Sequence, residues 1–590
     1  SRTSSASEPP FTEQDFRRDL QNWAILNRIK RDPLSDLLKL LRRHPCHSSL
    51  PSDARTLLNT PRGPCLECPI TPLPPGHYCH FGLEAGLLYA LSSLRELPRA
   101  LQLSFNIDGL PLSKSSNLQL WPVQCLIVNL DDQAPFLVGA FAGTSKPESA
   151  NDFLLPFVTE LKSLLENGLT VNGYSVCISL EAIICDAPAR SFILSTKGHS
   201  GYSGCPKCTC EGTYKEGKIV FLDSSCEMRT DASFRQQQDP DHHKGTSVLV
   251  ELPIDTVKDI PLDYMHLVLL GVVRKLLLLW ISGPLTARVG PLERRQMNDA
   301  NASLKEHIPQ EFSRSPRPVT EVERWKAAEL RLFLFYTGPL ILQPVLKPEL
   351  YENFITLHAG LSILANSKLC SLHAEYAGAL LRHFVTTFTQ IYGEDQVSYN
   401  VHCLIHLAED VKAHGAVDRF SAFPFENYMR HVKKELRKHE RPLQQLRNRM
   451  LERQQLPRVV QKKSTVIELS HPRNPGSLPP QCMGPGFGVA KCSNFILTVE
   501  TGDNGIMVDG HIIIAQTFAY LKASNEICVV GQEFLHREDL YVIPFESSRI
   551  GIFVVSGLSR TNAWPLKSPK KMLMLPFSNK FVAIPEIHTS

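Results

Sequence analysis

A chain of 590 residues is long enough for several domains and a large buried core. Its 43% hydrophobic and 21% charged residues are those of a globular protein and exclude a fibrous or wholly disordered chain. The formal net charge of only +4 excludes overall basicity as a route to nucleic acid, so any phosphate-binding surface has to be a local patch. The 16 cysteines are thinly spread but include close CxxC pairs, which favour metal binding over a disulfide framework. The N-terminal SRTSSASEPPF has no apolar leader and no initiator Met, and we expect a processed or truncated N-terminus with any targeting segment upstream.

Along the chain, residues 11–43 have helical spacing. Trp23, Ile25, Leu26 and Ile29 lead into Leu34, Leu37, Leu38 and Leu41, with Pro33 between two helices. Residues 1–60 are therefore expected as an N-terminal helical region for dimerisation or DNA binding. Residues 61–98, rich in Pro, Cys and His, read as a linker. From about 100 the period becomes two. Leu101, Leu103, Phe105 and Ile107 alternate with polar residues and end at Asp108, and Trp121 to Leu130 and Phe136 to Phe141 are two more strand-like runs. Glu148 to Gly168 is an amphipathic helix with Phe153, Leu154, Phe157, Leu161 and Leu164 on one side, and Tyr174 to Cys185 is a strand ending at Asp186. The order β-β-β-α-β, with an acid closing the first and fourth strands, is the layout of an RNase H-like α/β core, predicted over 99–190.

Residues 191–415 are too many for a loop and read as a mostly helical insertion domain. Its most apolar run, Leu267 to Gly283, is interrupted by Arg274 and Lys275, so it predicts a buried core helix and not a membrane span. Helix signals over 416–440 supply the last helix of the core. Residues 441–465 read as a basic linker. Residues 466–590 switch to short β-type runs (Phe495 to Val499, His511 to Ala515, Ile527 to Gly531, Ile550 to Ser556), which predict a small all-β domain.

Three acids stand out. Asp108, in FNIDGLPL, is carried by a strand to a Gly turn, where a metal can reach it; the plainer alternative is an Asp satisfying its own turn. Asp186, in IICDAPAR, follows a wholly apolar strand, where a charge without a partner is costly. In FPFENYMRHVKKELRK a helix puts Glu426, Arg430, Lys433 and Arg437 on one face, an acid beside a basic stripe; the alternative is a surface Glu–Arg pair. Phosphodiester cleavage by two metals needs carboxylates that hold the ions about 3.5–4 Å apart, and hard Mg2+ or Mn2+ prefers oxygen ligands. Asp263 and His266, in PLDYMHL, form a further acid–His motif. Asp263 reads as a helix cap with His266 against the core, and it also competes with Glu426 as third acid. Glu426 is preferred because its motif ends the insertion and opens a basic helix.

Cys205 and Cys208 (CPKC) follow the second acid, and His402 and His406 (HCLIH) precede Glu426. Two Cys and two His at these spacings suit a closed tetrahedral zinc site that pins both ends of the insertion. Cys210 and Cys403 lie close enough to compete as ligands. A second group, Cys65, Cys68, His77, Cys79 and His80, reads as a linker with free thiols in preference to a zinc knot. Between Arg430 and Lys463, twelve Lys or Arg face three Glu, the strongest local excess of positive charge; Arg430, Lys433, Lys434 and Arg437 are the expected DNA contacts.

DGLPLSKSSNLQLWPV, DAPAR, KGHSGYSGCPKC, PLDYMHLVLLGVVRKLL and HLAEDVKAHGAVDRFSAFPFENY together resemble transposases of the CACTA (En/Spm) type, within the CACTA–Mirage–Chapaev group, over residues 100–435. The plan also resembles Transib transposases and the catalytic subunit of the V(D)J recombinase. The resemblance implies a DDE site at Asp108, Asp186 and Glu426 with two Mg2+ or Mn2+ ions. It also implies structural zinc at Cys205, Cys208, His402 and His406. A nuclear enzyme is then expected, acting on transposon-end and target DNA as a homodimer or higher oligomer; Trp23, Leu26, Leu37, Leu38 and Leu41 either form its interface or pack on the chain's own core. Two alternatives stay open: an RNase H-like nuclease without strand transfer, and a domesticated DNA-binding protein.

Overall fold

The computed structural model describes residues 12–61, 68–112, 117–131, 134–437, 440–456, 467–474 and 478–587. An eight-stranded mixed sheet is built from β1 (Ile70–Leu73), β2 (Gly76–His80), β3 (Ala100–Ile107), β4 (Leu110–Pro111), β5 (Gln119–Ile127), β6 (Phe136–Gly143), β7 (Leu169–Val171) and β8 (Tyr174–Ile184). The order is β1-β2-β6-β5-β3-β8-β7, with β4 beside β5. All pairs are antiparallel except β3 and β8, which run parallel with Asn106 opposite Ile184. That register brings the residues just beyond both strand ends, Asp108 and Asp186, to the same sheet edge. A buried polar ladder fixes it: Gln124 donates to Asn106 at 2.9 Å, and Asn106 donates to the Ile184 carbonyl at 3.0 Å. The alternation that predicts these strands also feeds the core. Phe105, Val123 and Phe141 pack on Phe153, Phe157 and Leu161 of the helix Ala150–Asn167, and each such burial is worth about 1.5–3 kcal/mol.

Helices α1 (Glu13–Leu26), α2 (Arg31–Leu41) and α3 (Ala54–Leu57) precede the sheet; α4 (Leu83–Leu91), α5 (Ala150–Asn167) and α6 (Ala187–Ile193) belong to it. Two expectations need correction here. The supposed linker at 61–98 supplies a sheet hairpin, β1–β2, and α4. Pro33 lies inside α2, and the break between α1 and α2 falls at Asn27 to Lys30 instead. The N-terminal helices bury Leu34, Leu38, Leu50, Ala54, Leu57 and Leu58 in a core of their own, while Trp23 and Leu26 stay 43% and 69% exposed.

The stretch 195–262 is not helical throughout. It carries a small hairpin, β9 (Thr213–Lys215) and β10 (Lys218–Val220), and short helical segments at Asp231–Arg235 and Val248–Glu251. The helical middle begins at α7, where Met265–Val273 winds as a π-helix and continues into Arg274–Ser282. This continuous helix is long and apolar enough to cross a membrane by composition, yet Leu276, Leu277 and Trp280 are core residues. Around it lie α8 (Pro348–Ala365), α9 (Ser367–Tyr392), α10 (Tyr399–Cys403) and α11 (Leu407–His414). α7 approaches α10 so closely that a Cβ on Gly271 would stand 2.5 Å from the Asn400 amide. The chain returns to the sheet through α12 (Phe423–Glu435), whose Met429 and Val432 pack against Leu120, Leu137 and Ala140. The basic "linker" holds a further helix, α13 (Pro442–Gln454), with Leu443 and Leu446 on the same face of the sheet; residues 457–466 lie outside the described residues.

The C-terminal region is all β. Strands β14 (Gly505–Val508), β15 (His511–Leu521), β16 (Ile527–Glu538), β17 (Phe553–Leu558), β19 (Lys570–Phe577) and β20 (Lys580–Pro585) close a barrel in the order β15-β14-β19-β20-β17-β16. Flanking it are β11 (Glu468–Arg473), β12 (Cys482–Lys491), β13 (Ile496–Thr498) and β18 (Asn562–Pro565). The barrel is locked to the helical middle by Lys571, whose fully buried ammonium donates to Glu311 at 2.5 Å, Asp503 at 2.6 Å and the Ile496 carbonyl at 2.8 Å.

Candidate active site and metal centres

Asp108 leaves β3 into a turn held tight by packing: a Cβ on Gly109 would lie 2.6 Å from the Trp121 ring. One Asp108 carboxylate oxygen accepts from the Gly109 amide at 2.6 Å. Asp186 leaves β8 and caps α6, accepting from the Ala189 amide at 2.7 Å. Glu426 stands in the first turn of α12, half-buried and about a quarter turn round the helix from the buried Phe425, Met429 and Val432.

The donor atoms of Asp108, Glu426 and His266 lie within 4.8 Å of one another. Asp186 is not in that group, but its charge reaches Asp108. Burial first, and then the Asp186 charge, push the Asp108 carboxyl up to about 7; His266 pulls it down, and Glu426 raises it by less than His266 lowers it. Carboxylates crowded in this way could hold a divalent cation, which would relieve both the burial cost and the mutual repulsion.

His266 is the residue that the sequence reading placed against the core, and the structure places its ring at the acids. Asp263 is not a metal-facing acid. It is only 3% exposed and accepts from the amides of Met265 at 3.3 Å, His266 at 3.0 Å and Ala422 at 2.8 Å, and from His266 Nδ1 at 2.6 Å. Burial would lower His266, but the Asp263 hydrogen bond and the charges of Asp263, Asp108 and Asp186 raise it to about 9. Asp263 thus caps α7, aims His266, and fixes the start of the Glu426 helix.

The second cluster joins both ends of the insertion. Cys205 and Cys208 Sγ are 3.5 Å apart, His402 and His406 Nε2 are 3.4 Å apart, Cys208 is 3.3 Å from His402, and Cys205 is 3.6 Å from His406. A zinc tetrahedron with bonds of about 2.0–2.3 Å has edges of about 3.3–3.8 Å, so these four buried donors fit that ion. Although burial opposes it, hydrogen bonds from Cys208, Cys403, His402 and His406 hold the Cys205 thiol well below its ordinary value. Cys210 and Cys403 stand outside the four. Between the cysteines, Lys207 forms a buried pair with Asp410 at 2.6 Å, and Asp410 accepts from the Leu262 amide at 2.8 Å, next to Asp263.

Of the N-terminal group, Cys65 lies outside the described residues, and His80 is engaged by Glu160 at 2.8 Å, so it is not a free ligand. Among the expected DNA contacts, Arg430, Lys433 and Lys434 are exposed on α12. Arg437 departs from them. α12 ends at Glu435, and the Arg437 guanidinium donates to the Arg28 and Ile29 carbonyls at 3.2 and 2.9 Å. The N-terminal helices dock beside it through Arg28–Glu435 and Arg31–Glu452. A cleft of about 790 Å³ runs from Glu426 and His266 between α12 and the helical middle, with Arg314, Lys326, Arg430 and Lys433 in its walls.

A protein-family model described as "Domain of unknown function (DUF8592)" matches residues 470–586, the β-barrel region. The comparison with curated proteins gives no match.

Proposed function

We propose that the chain is a DDE-type DNA transposase that cuts at the ends of a mobile element and joins the freed 3′-hydroxyls to target DNA. The observation that carries this reading is the meeting of Asp108 and Glu426, with Asp186 beside them. They come from two parallel strand ends and a basic helix hundreds of residues away. Mg2+ or Mn2+ held by these carboxylates would supply an activated water or 3′-hydroxyl and stabilise the leaving oxygen. The chain's own residues position the rest. Arg430 and Lys433, one and two turns beyond Glu426 on the same helix, neutralise phosphates beside the cut and place the strand without reading its sequence. The Asp263 contact to Ala422 holds the start of α12, so that Glu426 faces the sheet edge. The Cys205, Cys208, His402 and His406 donors would hold structural zinc, whose role is folding and not chemistry. Two element ends must be cut and joined together, so the active species is at least a dimer.

The test is cleavage and joining of DNA from the ends flanking the coding segment, with Mg2+ or Mn2+. Asp108→Asn and Glu426→Gln are expected to lose at least about 100-fold in cleavage while binding DNA normally. Cleavage retained in either variant overturns the assignment, and cleavage without joining favours a nuclease.

A further inference from the structure

We propose that His266 is itself a metal ligand of the carboxylate site, binding through Nε2, and that it biases the site toward Mn2+ over Mg2+. The inference rests on the metal-dependent reading above and adds a ligand to it. Three observations carry it. First, a His266 ring nitrogen lies within 4.8 Å of the donor oxygens of both Asp108 and Glu426, which is the reach of one ion or of a close pair. Second, one ring nitrogen, Nδ1, is held at 2.6 Å by the buried Asp263 carboxylate, which leaves Nε2 as the nitrogen open to an ion. A carboxylate that takes one imidazole nitrogen fixes the ring's orientation and makes the other nitrogen a better donor, as in carboxylate–histidine–metal sites. Third, the ring sits in the first turn of the π-helical stretch of α7, and the same Asp263 binds the amide that opens the Glu426 helix, so ligand and acid are set by one anchor. Imidazole suits a transition ion, whereas Mg2+ keeps to oxygen donors, and a mixed His–carboxylate site therefore favours Mn2+.

The experiment is pulsed EPR of Mn2+ added alone to zinc-loaded full-length protein, with no DNA. Wild type is expected to bind Mn2+ with a nitrogen hyperfine coupling. His266→Gln is expected to lose that coupling and to bind Mn2+ about tenfold more weakly, and Asp263→Asn to weaken binding by about tenfold with the coupling altered. Zinc content and thermal melting of each variant identify any misfolded sample. If His266→Gln misfolds, the comparison of wild type with Asp108→Asn decides, because the coupling must vanish with the carboxylate. Mn2+ bound in an Asp108-dependent way without nitrogen coupling, or coupling that persists in His266→Gln, overturns the ligand while leaving the carboxylate site intact. Mn2+ binding that ignores Asp108→Asn overturns the active-site reading as well.

Discussion

Glu586, just beyond β20, sits in the wall of the cleft that leads to Glu426, and its Oε2 is buried without a hydrogen-bond partner among the described residues. Burial first, and then the charges of Glu311 and Asp503, push its carboxyl from 4.5 up to about 7, although Lys571 and Arg331 pull the other way. A folded value raised above the unfolded one means that stability is fully present below about 4.5 and is lost as pH rises through 7. At about 1.4 kcal/mol per pH unit, the cost of carrying this ionised group at pH 8 is up to about 3 kcal/mol. Partial solvent contact makes that an upper bound. Replacing the carboxyl by an amide of the same shape, Glu586→Gln, removes the ionisation. The variant is expected to be more stable than wild type at pH 8 and equal to it near pH 4. Urea unfolding of both proteins across that range, followed by tryptophan fluorescence with Trp564 as the barrel's reporter, measures the difference. A gain that does not depend on pH, or a variant less stable at pH 8, would refute the burial argument.

Other outcomes follow from the same structure. Cys205→Ser, or chelation of the wild type, is expected to lower the melting temperature and release about one zinc per chain, read by atomic absorption; unchanged melting in metal-free protein removes the zinc assignment. Lys207→Met should cost about 3–5 kcal/mol by leaving Asp410 buried without its cation, while the double variant Lys207→Met, Asp410→Leu should recover part of that loss in a denaturant titration. Arg430→Ala and Lys433→Ala should each flatten the slope of log affinity against log salt by about one, and unchanged slopes would take α12 off the DNA. Deleting residues 1–45 removes the Arg28–Glu435 and Arg31–Glu452 pairs, so it should destabilise α12 as well as change any oligomer seen by light scattering.

Much of the site was readable because it rests on local signals. Asp108 and Asp186 each follow an alternating or apolar run, and a parallel strand pair needs nothing more to bring them together. CPKC and HCLIH carry their spacing in the sequence, while the meeting of all four donors is set by the packing of the insertion. The hairpin β1–β2 was missed because its Pro, Cys and His residues mimic a linker, and its place is set by pairing with the distant β6. The roles of Asp263 and His266 depend on a contact to Ala422, more than 150 residues away, that no periodicity reports. Arg437 fails for a related reason: helical spacing extends only as far as the helix, and α12 stops at Glu435.

The four-donor cluster has a consequence for how this chain tolerates change. With zinc on Cys205, Cys208, His402 and His406, as proposed above, the intervening segment would be shut into a loop whose two ends meet at one point. Beyond that knot, only a short span of chain separates each end from Asp186 and from Glu426. The entropy of bringing the second and third acids together is then set by those short spans, and not by the length of the insertion. Loop-closure cost grows only slowly with length, at about 0.6 kcal/mol per doubling, and here even that increment falls outside the acid site. Segments between Cys208 and Asp263, and those between α7 and His402, can lengthen, shrink or acquire new surfaces while the carboxylates keep their spacing, so long as the knot stays tied and Asp263 keeps its hold on Ala422 and His266.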